Sequence, residues 1–510
     1  MSHVPSSTTS RRWVQSRALA ALALAALCAC GDDLPASEMD RFYARCAAPR
    51  SGTDPATNRP FDDVPGTLAD EKQFLRAWID ELYLWYREVP AHTPHEFATP
   101  LEYFNALKTP ARTASGRAKD QFHFTYPTDV WVSLSRSGVQ GGYGVQWSVL
   151  AARPPRRIVA AYVEGPSPAE TAQLRRGAEV LIVDGVDVID GSDVDTLNGG
   201  LFPEELGATH TFVIRDPGGL TRTITMVSEN LSSRPVQNVK TLDTPTGKVG
   251  YLTFNDHIAT AEAQLVAAVR QLQDEQISDL VLDLRYNGGG YLSIASQLAY
   301  MLAGPAASSG KAFETLTFND KHRDVDPITG QTLTPRPFLS RSAGFSVPAG
   351  QELPTLNLAR VFVLTGSGTC SASEAIINGL RGIDLNVIQI GATTCGKPYG
   401  FYPQDNCGTT YFAIQFQGVN NKGYGDYADG FVPGGTGEEG VPGCMVLDDF
   451  TKDLGDPSEA RLAAALAFRD SGACPAPRST LDAGGLSAVE GYTPKPRWLQ
   501  NRIAGTPARR

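Results

Sequence analysis

The stretch Thr365–Glu374, which reads TGSGTCSASE, decides the fold of this chain. It begins at the end of the apolar run Arg360–Thr365, which predicts a buried strand, and it leads into a helical pattern over Ser373–Arg381. Glycine and serine residues between a strand and a helix predict a tight turn. A hydroxyl at such a turn is lifted out of the sheet, beside the free N–H groups at the start of the helix. These donors and the positive end of the helix dipole suit an oxyanion on an attacked carbonyl.

The segments before and after this stretch alternate strands with helices. Val249–Phe254, Asp279–Leu284 and Val387–Gly391 predict strands, and Glu262–Gln273 predicts an amphipathic helix. This alternation predicts an α/β layer that carries its active groups at the ends of strands. We place this core at residues 233–450.

A second reactive residue, Lys397, follows the next strand of this core. A serine hydroxyl is a poor nucleophile and needs a base within hydrogen-bond reach. A lysine can be that base only if burial makes it neutral, and Ile388, Ile390 and Tyr399 provide apolar neighbours in the sequence. The spacing alone is weak evidence, because both residue types are common.

Three motifs in this core resemble the carboxy-terminal processing (tail-specific) serine protease family. Its members are Ser/Lys-dyad enzymes with a PDZ domain ahead of a mixed α/β, ClpP/crotonase-like protease core. Ser371, the first serine of Ser-Ala-Ser-Glu, matches the nucleophile of that family, and Lys397 in Gly-Lys matches its base. The third motif, Asp283–Gly290 (DLRYNGGG), resembles the strand-to-turn segment whose glycines carry an oxyanion-hole N–H.

The resemblance therefore implies a serine endopeptidase with Ser371 as nucleophile and Lys397 as general base. It implies an oxyanion hole from the N–H groups of Gly289 and Ala372, with Gly290 as the alternative glycine. The implied fold class is multidomain α/β and α+β, with a helical N-terminal segment and a β-rich PDZ-like domain. No cofactor is implied.

Two departures from the family pattern border the dyad. Many members carry a glutamine four residues after the lysine, and this chain has Phe401 there, so Gln404, Tyr399 or a backbone carbonyl is left to orient the amine. Cys370 and Cys395 flank the dyad where small uncharged residues are usual. A bond between these two cysteines would join the serine turn to the lysine segment.

Residues 130–232 resemble a PDZ domain. Gly142, Tyr143, Gly144 and Val145 match the loop that binds a terminal carboxylate, and residues 165–185 match the following helix-to-strand element. Consecutive N–H groups in a glycine-rich loop can bind a carboxylate, and a neighbouring strand edge can pair with a peptide. The domain is either a peptide-binding module or a rigid spacer with a blocked groove.

The first 30 residues predict a lipoprotein signal peptide. Basic residues from Arg11 to Arg17 precede a short apolar run over Ala18–Leu27, which is too short to span a bilayer. The following Leu-Cys-Ala-Cys resembles a bacterial lipobox, with Cys30 as the lipidated residue. We expect an exported chain that is lipid-anchored to a bacterial membrane and faces the periplasm or the cell exterior, and an ordinary signal peptide is the alternative.

The remaining parts of the chain predict simpler roles. Residues 31–66, rich in Pro, Asp, Ser and Thr, indicate a tether, and residues 67–129 indicate a helical domain with an aromatic stripe that packs in a core. Residues 451–510 indicate a C-terminal helix and a loosely ordered tail. Outside the signal, six cysteines remain for an oxidising compartment, and six allow 15 pairings. Cys395 with Cys407, across an apparent hairpin, is the first candidate pair.

Other functions are weighed against the peptidase. The net charge of −10 argues against nucleic acid as a partner, and no spacing of His, Cys or Asp residues indicates a metal site. A Ser-His pair with His257 or His322 is an alternative to the lysine. The rival class is a non-catalytic lipoprotein that binds peptides or hydrophobic ligands on the same fold.

Overall fold

A computed structural model describes residues 37–54, 57–137, 139–203, 205–476, 486, 489–494 and 502–503. The predicted signal peptide and Cys30 lie outside these residues. Within them, no helix has the length and apolar character that crossing a bilayer requires. The α-helices are Glu38–Phe42, Leu68–Leu82, Pro100–Ala106, Thr128–Ser137, Pro168–Thr171, Val194–Leu201, Ala261–Asp274, Leu292–Ser308, Ala372–Gly382 and Ala460–Ser471, with 3-10 turns at Tyr86–Glu88 and Pro94–Glu96.

A six-stranded sheet forms the centre of the molecule. Its strands are hydrogen-bonded in the order Val236–Thr244, Gly247–Phe254, Asp279–Asp283, Arg360–Thr365, Asn386–Gly391 and Gly443–Met445. The first pair is antiparallel and the other pairs are parallel. The predicted α/β core is confirmed, and the carboxyl ends of its parallel strands meet along one edge.

Smaller sheets cover that edge. One has the order Arg336–Pro337, Ala312–Thr317, Phe416–Val419 and Tyr399–Gly400, and another has Gln404–Asn406, Thr409–Phe412 and Phe124–Pro127. Among the described residues, four further two-stranded pairs are Arg45–Cys46 with Val64–Pro65, Thr53–Asp54 with Arg59–Pro60, Val139–Gly142 with Glu229–Ser232, and Val432–Pro433 with Gly440–Val441. A fifth pair joins Gly290–Tyr291 to Arg502–Ile503.

Residues 139–232 form a β domain of their own. Its antiparallel sheet has the order Thr221–Val227, Thr209–Arg215, Glu179–Val183, Arg157–Val163 and Val145–Ala151, and Val186–Asp187 also pairs with Glu179–Val183. Its core is separate from the main one and contains Trp147 and Phe212. The strand Val145–Ala151 is at the edge of this sheet.

The three disulfides correct two predictions. Cys407 bonds to Cys46, Cys370 bonds to Cys395, and Cys444 bonds to Cys474, so the predicted bond between Cys395 and Cys407 is wrong. The hairpin turn that carries Cys407 faces the N-terminal segment. The tether predicted for residues 31–66 is wrong for its described part, because residues 37–66 hold a helix and short strands that this bond ties to the core.

A buried charge cluster joins the β domain to the core. Arg285 pairs with Asp283, Asp448 and Glu459, and Arg176 of the β domain donates to the same Asp448 carboxylate at 2.6 Å. Burial by itself raises the pKa of Asp448, but the charges of Arg176 and Arg285 outweigh it and hold that pKa far below its usual value. The ion pair of Asp283 with Arg285 is thus part of a larger buried network.

Candidate active site

The serine turn, residues 366–371, connects the central strand to the helix Ala372–Gly382. Ser371 precedes the first residue of the helix and has φ 60° and ψ −110°, a backbone conformation that costs free energy in any residue except glycine. The Oγ atom of Ser371 is buried and has no hydrogen-bond partner among the described residues. Strained backbone and an unsatisfied buried hydroxyl are both typical of a nucleophile held ready for a substrate.

The glycine turn, residues 287–290, lies against the serine turn. The carbonyl oxygen of Asn287 accepts hydrogen bonds from the Cys370 N–H at 3.1 Å and the Ser373 hydroxyl at 3.0 Å. The Ser373 hydroxyl is therefore bonded to backbone. Gly290 has φ 130°, and a Cβ atom there would lie 2.3 Å from the carbonyl oxygen of His257, so only glycine fits.

The structure distinguishes between the oxyanion-hole candidates. The Ala372 N–H belongs to the first residue of the helix, so the helix itself provides no partner for it. The Gly289 N–H already donates to the side-chain oxygen of Asn287 at 3.0 Å. Gly289 would have to release this bond to hold an oxyanion, whereas the backbone of Gly290 lies between those of His257 and Arg502.

Glu374 connects the serine turn to the lysine segment. Its fully buried carboxylate accepts hydrogen bonds from the N–H groups of Ser371, Gly396 and Lys397, each at 2.8 Å, and from the Thr394 hydroxyl at 2.5 Å. Burial raises the pKa of Glu374, and these hydrogen bonds oppose that change. The sequence does not reveal the contacts of Glu374 with Gly396 and Lys397, which lie more than twenty residues away.

Lys397 is completely buried at the start of the next segment. Its Nζ atom lies 4.3 Å from the ring centre of Phe122 and 5.0 Å from that of Phe401. Phe401 occupies the place of the family's orienting glutamine, so an aromatic face stands where an amide is usual. A lysine can act as a general base only as a neutral amine.

A disulfide completes the connection between the two segments. Cys370 and Cys395 are bonded, with their Cα atoms 5.1 Å apart, and the Cys395 N–H donates to the Thr369 carbonyl at 2.9 Å. Among the described residues, Cys370, Glu374 and Cys395 also form the one group of potential metal ligands, with atoms within 4.8 Å of one another. Because the two sulfur atoms are bonded to each other, this group presents no thiolate to a metal ion.

The other predicted residues are divided between the site and its surroundings. The Nδ1 atom of His257 lies 3.0 Å from the Asn287 side-chain oxygen, so His257 borders the glycine turn. His322 instead pairs with Glu81 of the N-terminal helix. Gln404 donates to the neighbouring Asp405 carbonyl, and its strand pairs with Thr409–Phe412.

The predicted carboxylate loop lines a cavity between the β domain and the core. Gly142, Tyr143, Gly144 and Val145 line this space of about 120 Å³, together with Asp256 of the core. The Tyr143 side chain is buried and donates to the Gly200 carbonyl at 3.0 Å. Tyr143 is therefore a core residue, and only the backbone of this loop is available to a ligand.

Two family models match the chain in the regions just described. Residues 248–400 match the model of peptidase family S41, and residues 70–126 match the model of the peptidase S41 N-terminal domain. These two segments carry the domains of peptidase family S41. The first contains the glycine turn, the serine turn and Lys397, and the second coincides with most of the predicted helical domain.

Relatives by sequence carry names of the same kind. The chain is 27% identical over 275 residues to a carboxyl-terminal-processing protease of Picosynechococcus sp., covering 52% of this chain and 56% of that protein. It is 32% identical over 246 residues to a C-terminal processing peptidase of Tetradesmus obliquus, covering 45% and 46%. The chain thus matches about half the length of these relatives.

A solved structure shares the S41 fold. The crystal structure of a putative S41 protease from Bacteroides fragilis aligns over 78% of this chain and 97% of that protein, with a TM-score of 0.59 and 24% identity. This likeness supports the mixed α/β multidomain architecture.

Proposed function

We propose that this chain is a serine endopeptidase of the tail-specific type, which cleaves exported proteins or peptides with a Ser371–Lys397 dyad. The observation that carries the proposal is the serine turn: a buried nucleophile in strained backbone, joined to the lysine segment through Glu374 and the Cys370–Cys395 bond. The S41 domains and the names of the relatives support the same reaction class.

The reaction follows from these positions. The Ser371 hydroxyl attacks the scissile carbonyl while Lys397, as a neutral amine, takes its proton. The N–H of Ala372, with that of Gly289 or Gly290, stabilises the oxyanion. Collapse of the tetrahedral intermediate passes the proton from Lys397 to the leaving amine and leaves an acyl group on Ser371, which water then hydrolyses.

The second candidate for the base is His257, because it borders the glycine turn and bonds to Asn287. Hydrolysis of unfolded casein by the Lys397→Ala and His257→Ala variants distinguishes the two candidates. Loss of activity with Lys397→Ala alone supports the dyad, whereas loss with His257→Ala alone moves the base to the histidine. If neither the full chain nor a truncated form hydrolyses casein, the result would favour the alternative of a non-catalytic protein that binds peptides or hydrophobic ligands.

The location of the protein belongs to the same proposal. Three disulfides suit a chain that folds in an oxidising compartment, and the predicted lipidation of Cys30 would hold it on a bacterial membrane. Mass spectrometry of the mature N-terminus tests this part. A diacylglyceryl group on Cys30 supports the anchor, and an N-terminus elsewhere, free of lipid, contradicts it.

A further inference from the structure

The C-terminal segment of the chain lies on surfaces where a substrate peptide is expected. Tyr492 pairs antiparallel with Val149: the Val149 N–H donates to the Tyr492 carbonyl at 2.7 Å, and the Tyr492 N–H donates back at 3.0 Å. The Gln146 side chain donates to the Pro494 carbonyl at 2.7 Å. The segment therefore adds a strand to the free edge of Val145–Ala151, the mode by which sheet edges bind extended peptides.

The same segment contacts the serine turn. Glu490 accepts a hydrogen bond from the Ser367 N–H at 3.2 Å, and its other carboxylate oxygen pairs with the buried Arg461. Gly491 fits closely, because a Cβ atom there would lie 2.1 Å from the Ser148 Oγ atom and 2.7 Å from the Leu150 Cδ2 atom. These contacts hold Gly491–Pro494 in one register against the β domain, while Val489 pairs with Asp448 of the core.

Further along the chain, the backbone of Arg502–Ile503 reaches the glycine turn. The backbone of Arg502–Ile503 pairs in parallel with Gly290–Tyr291, on the side opposite His257. It also contacts the strand Tyr399–Gly400, which begins two residues after Lys397. This backbone thus lies between the candidate oxyanion turn and the lysine segment, where the proposed reaction needs a substrate.

We propose that the C-terminal segment containing Val489–Pro494 and Arg502–Ile503 is an intramolecular ligand that occupies the substrate track of the peptidase. Another polypeptide reaches Ser371 only when this segment leaves. The inference rests on the proposed function, and it also specifies the substrate: an extended polypeptide that adds a strand both to Val145–Ala151 and to the glycine turn. The loosely ordered tail predicted from the sequence is wrong for the described residues of this segment.

The test compares the full chain with a form that ends after Glu490. This form keeps the Arg461–Glu490 ion pair and the contact with Ser367, and it loses every later residue. Gly491→Val disturbs the docked strand without truncation, and Tyr492→Ala is its matched control, because the Tyr492 side chain is 60% exposed and the pairing uses its backbone. Thermal unfolding shows whether each form is folded.

We expect the truncated and Gly491→Val forms to hydrolyse unfolded casein about tenfold faster or more in kcat/KM, because a ligand held in the same chain reduces the fraction of open sites. Tyr492→Ala should behave like the full chain. A synthetic peptide of residues 489–510 should inhibit the truncated form. Equal kcat/KM values for the full and truncated chains would overturn the inference.

Hydrogen exchange separates this inference from the proposed function. In the Ser371→Ala background, truncation after Glu490 should speed exchange of the Val149 amide, which donates to the Tyr492 carbonyl, whatever the catalytic activity. Faster exchange without any hydrolysis would support the bound C-terminal segment and contradict the proposed peptidase activity. Unchanged exchange would overturn the bound C-terminal segment, and the peptidase activity would then be tested separately by the Lys397→Ala and His257→Ala variants.

Discussion

The substitution Glu374→Gln tests how the serine turn and the lysine segment are held together. One carboxylate oxygen accepts from the N–H groups of both Ser371 and Lys397, and the other accepts from Gly396 and Thr394. Glutamine keeps one accepting oxygen and turns the other into an NH₂ group that faces two donors. Two hydrogen bonds to a charged group are lost, at about 1.5–3 kcal/mol each, so the free energy of unfolding should fall by about 3–6 kcal/mol.

The catalytic effect should exceed the effect on binding. A shift of the serine or lysine segment by about 1 Å lowers a rate on the order of 100-fold, so kcat should fall by that factor while KM changes little. Glu262→Gln is the matched control. Glu262 also lies in the first turn of a helix, and its carboxylate accepts hydrogen bonds from three backbone N–H groups within residues 343–347, away from Ser371 and Lys397. Urea unfolding and peptide hydrolysis at 15 °C measure both quantities for the two variants.

Two results would refute this reasoning. If Glu374→Gln keeps full kcat while it loses stability, the carboxylate supports the fold and does not position the dyad. If Glu262→Gln lowers kcat as much as Glu374→Gln does, the loss in both comes from general destabilisation. Glu374→Asp, which restores the charge on a shorter side chain, should recover part of the lost kcat.

Three further predictions follow from the site and its supports. Ser371→Gly should be more stable than Ser371→Ala by about 1 kcal/mol in urea unfolding, because glycine adopts φ 60° without strain, and equal stabilities would contradict the strain. Replacing Cys370 and Cys395 with serine should lower the free energy of unfolding by about 3 kcal/mol, for a separation of 25 residues, and should lower kcat. Removal of the Cys444–Cys474 bond, with a separation of 30 residues, is the control and should cost similar stability without loss of kcat. Equal effects on kcat would argue against a local role for the Cys370–Cys395 bond. Asp448→Asn should cost about 3–5 kcal/mol at pH 7. Because the pKa of Asp448 is lowered in the folded chain, its charge contributes stability above the unfolded pKa of about 4, and this stability is lost as the pH falls. The stability cost of Asp448→Asn should therefore shrink below about pH 4. A cost that stays constant with pH would refute this prediction.

The local part of the fold could be predicted from the sequence. The strand Arg360–Thr365 and the helix after Ser371 lie where the apolar patterns placed them, because hydrophobic periodicity records which side of an element is buried. The turn between them follows from glycine and serine residues within one short stretch. Ser371 and Lys397 could be selected because both lie in short motifs that resemble those of a known protease family.

The long-range contacts could not be predicted. Cys407 bonds to Cys46 across 361 residues, although Cys395 is far closer in sequence, because the hairpin turn points toward the N-terminal segment. The bridge between Tyr492 and Val149 could not be predicted from an apolar pattern, because it consists of backbone hydrogen bonds to a distant strand. Glu374 could have been identified only by knowing that Gly396 and Lys397 would lie next to the helix start.

Covalent labelling of Ser371 tests the central claim most directly. The chain is treated with a fluorophosphonate, digested and mapped by mass spectrometry, and the labelling rate is compared among the unsubstituted, Ser371→Ala, Lys397→Ala and His257→Ala forms. The dyad predicts an adduct on Ser371 alone, formed at least about 100-fold more slowly in Lys397→Ala and at nearly the full rate in His257→Ala. An adduct on another serine, or full-rate labelling of Ser371 in Lys397→Ala, would contradict it.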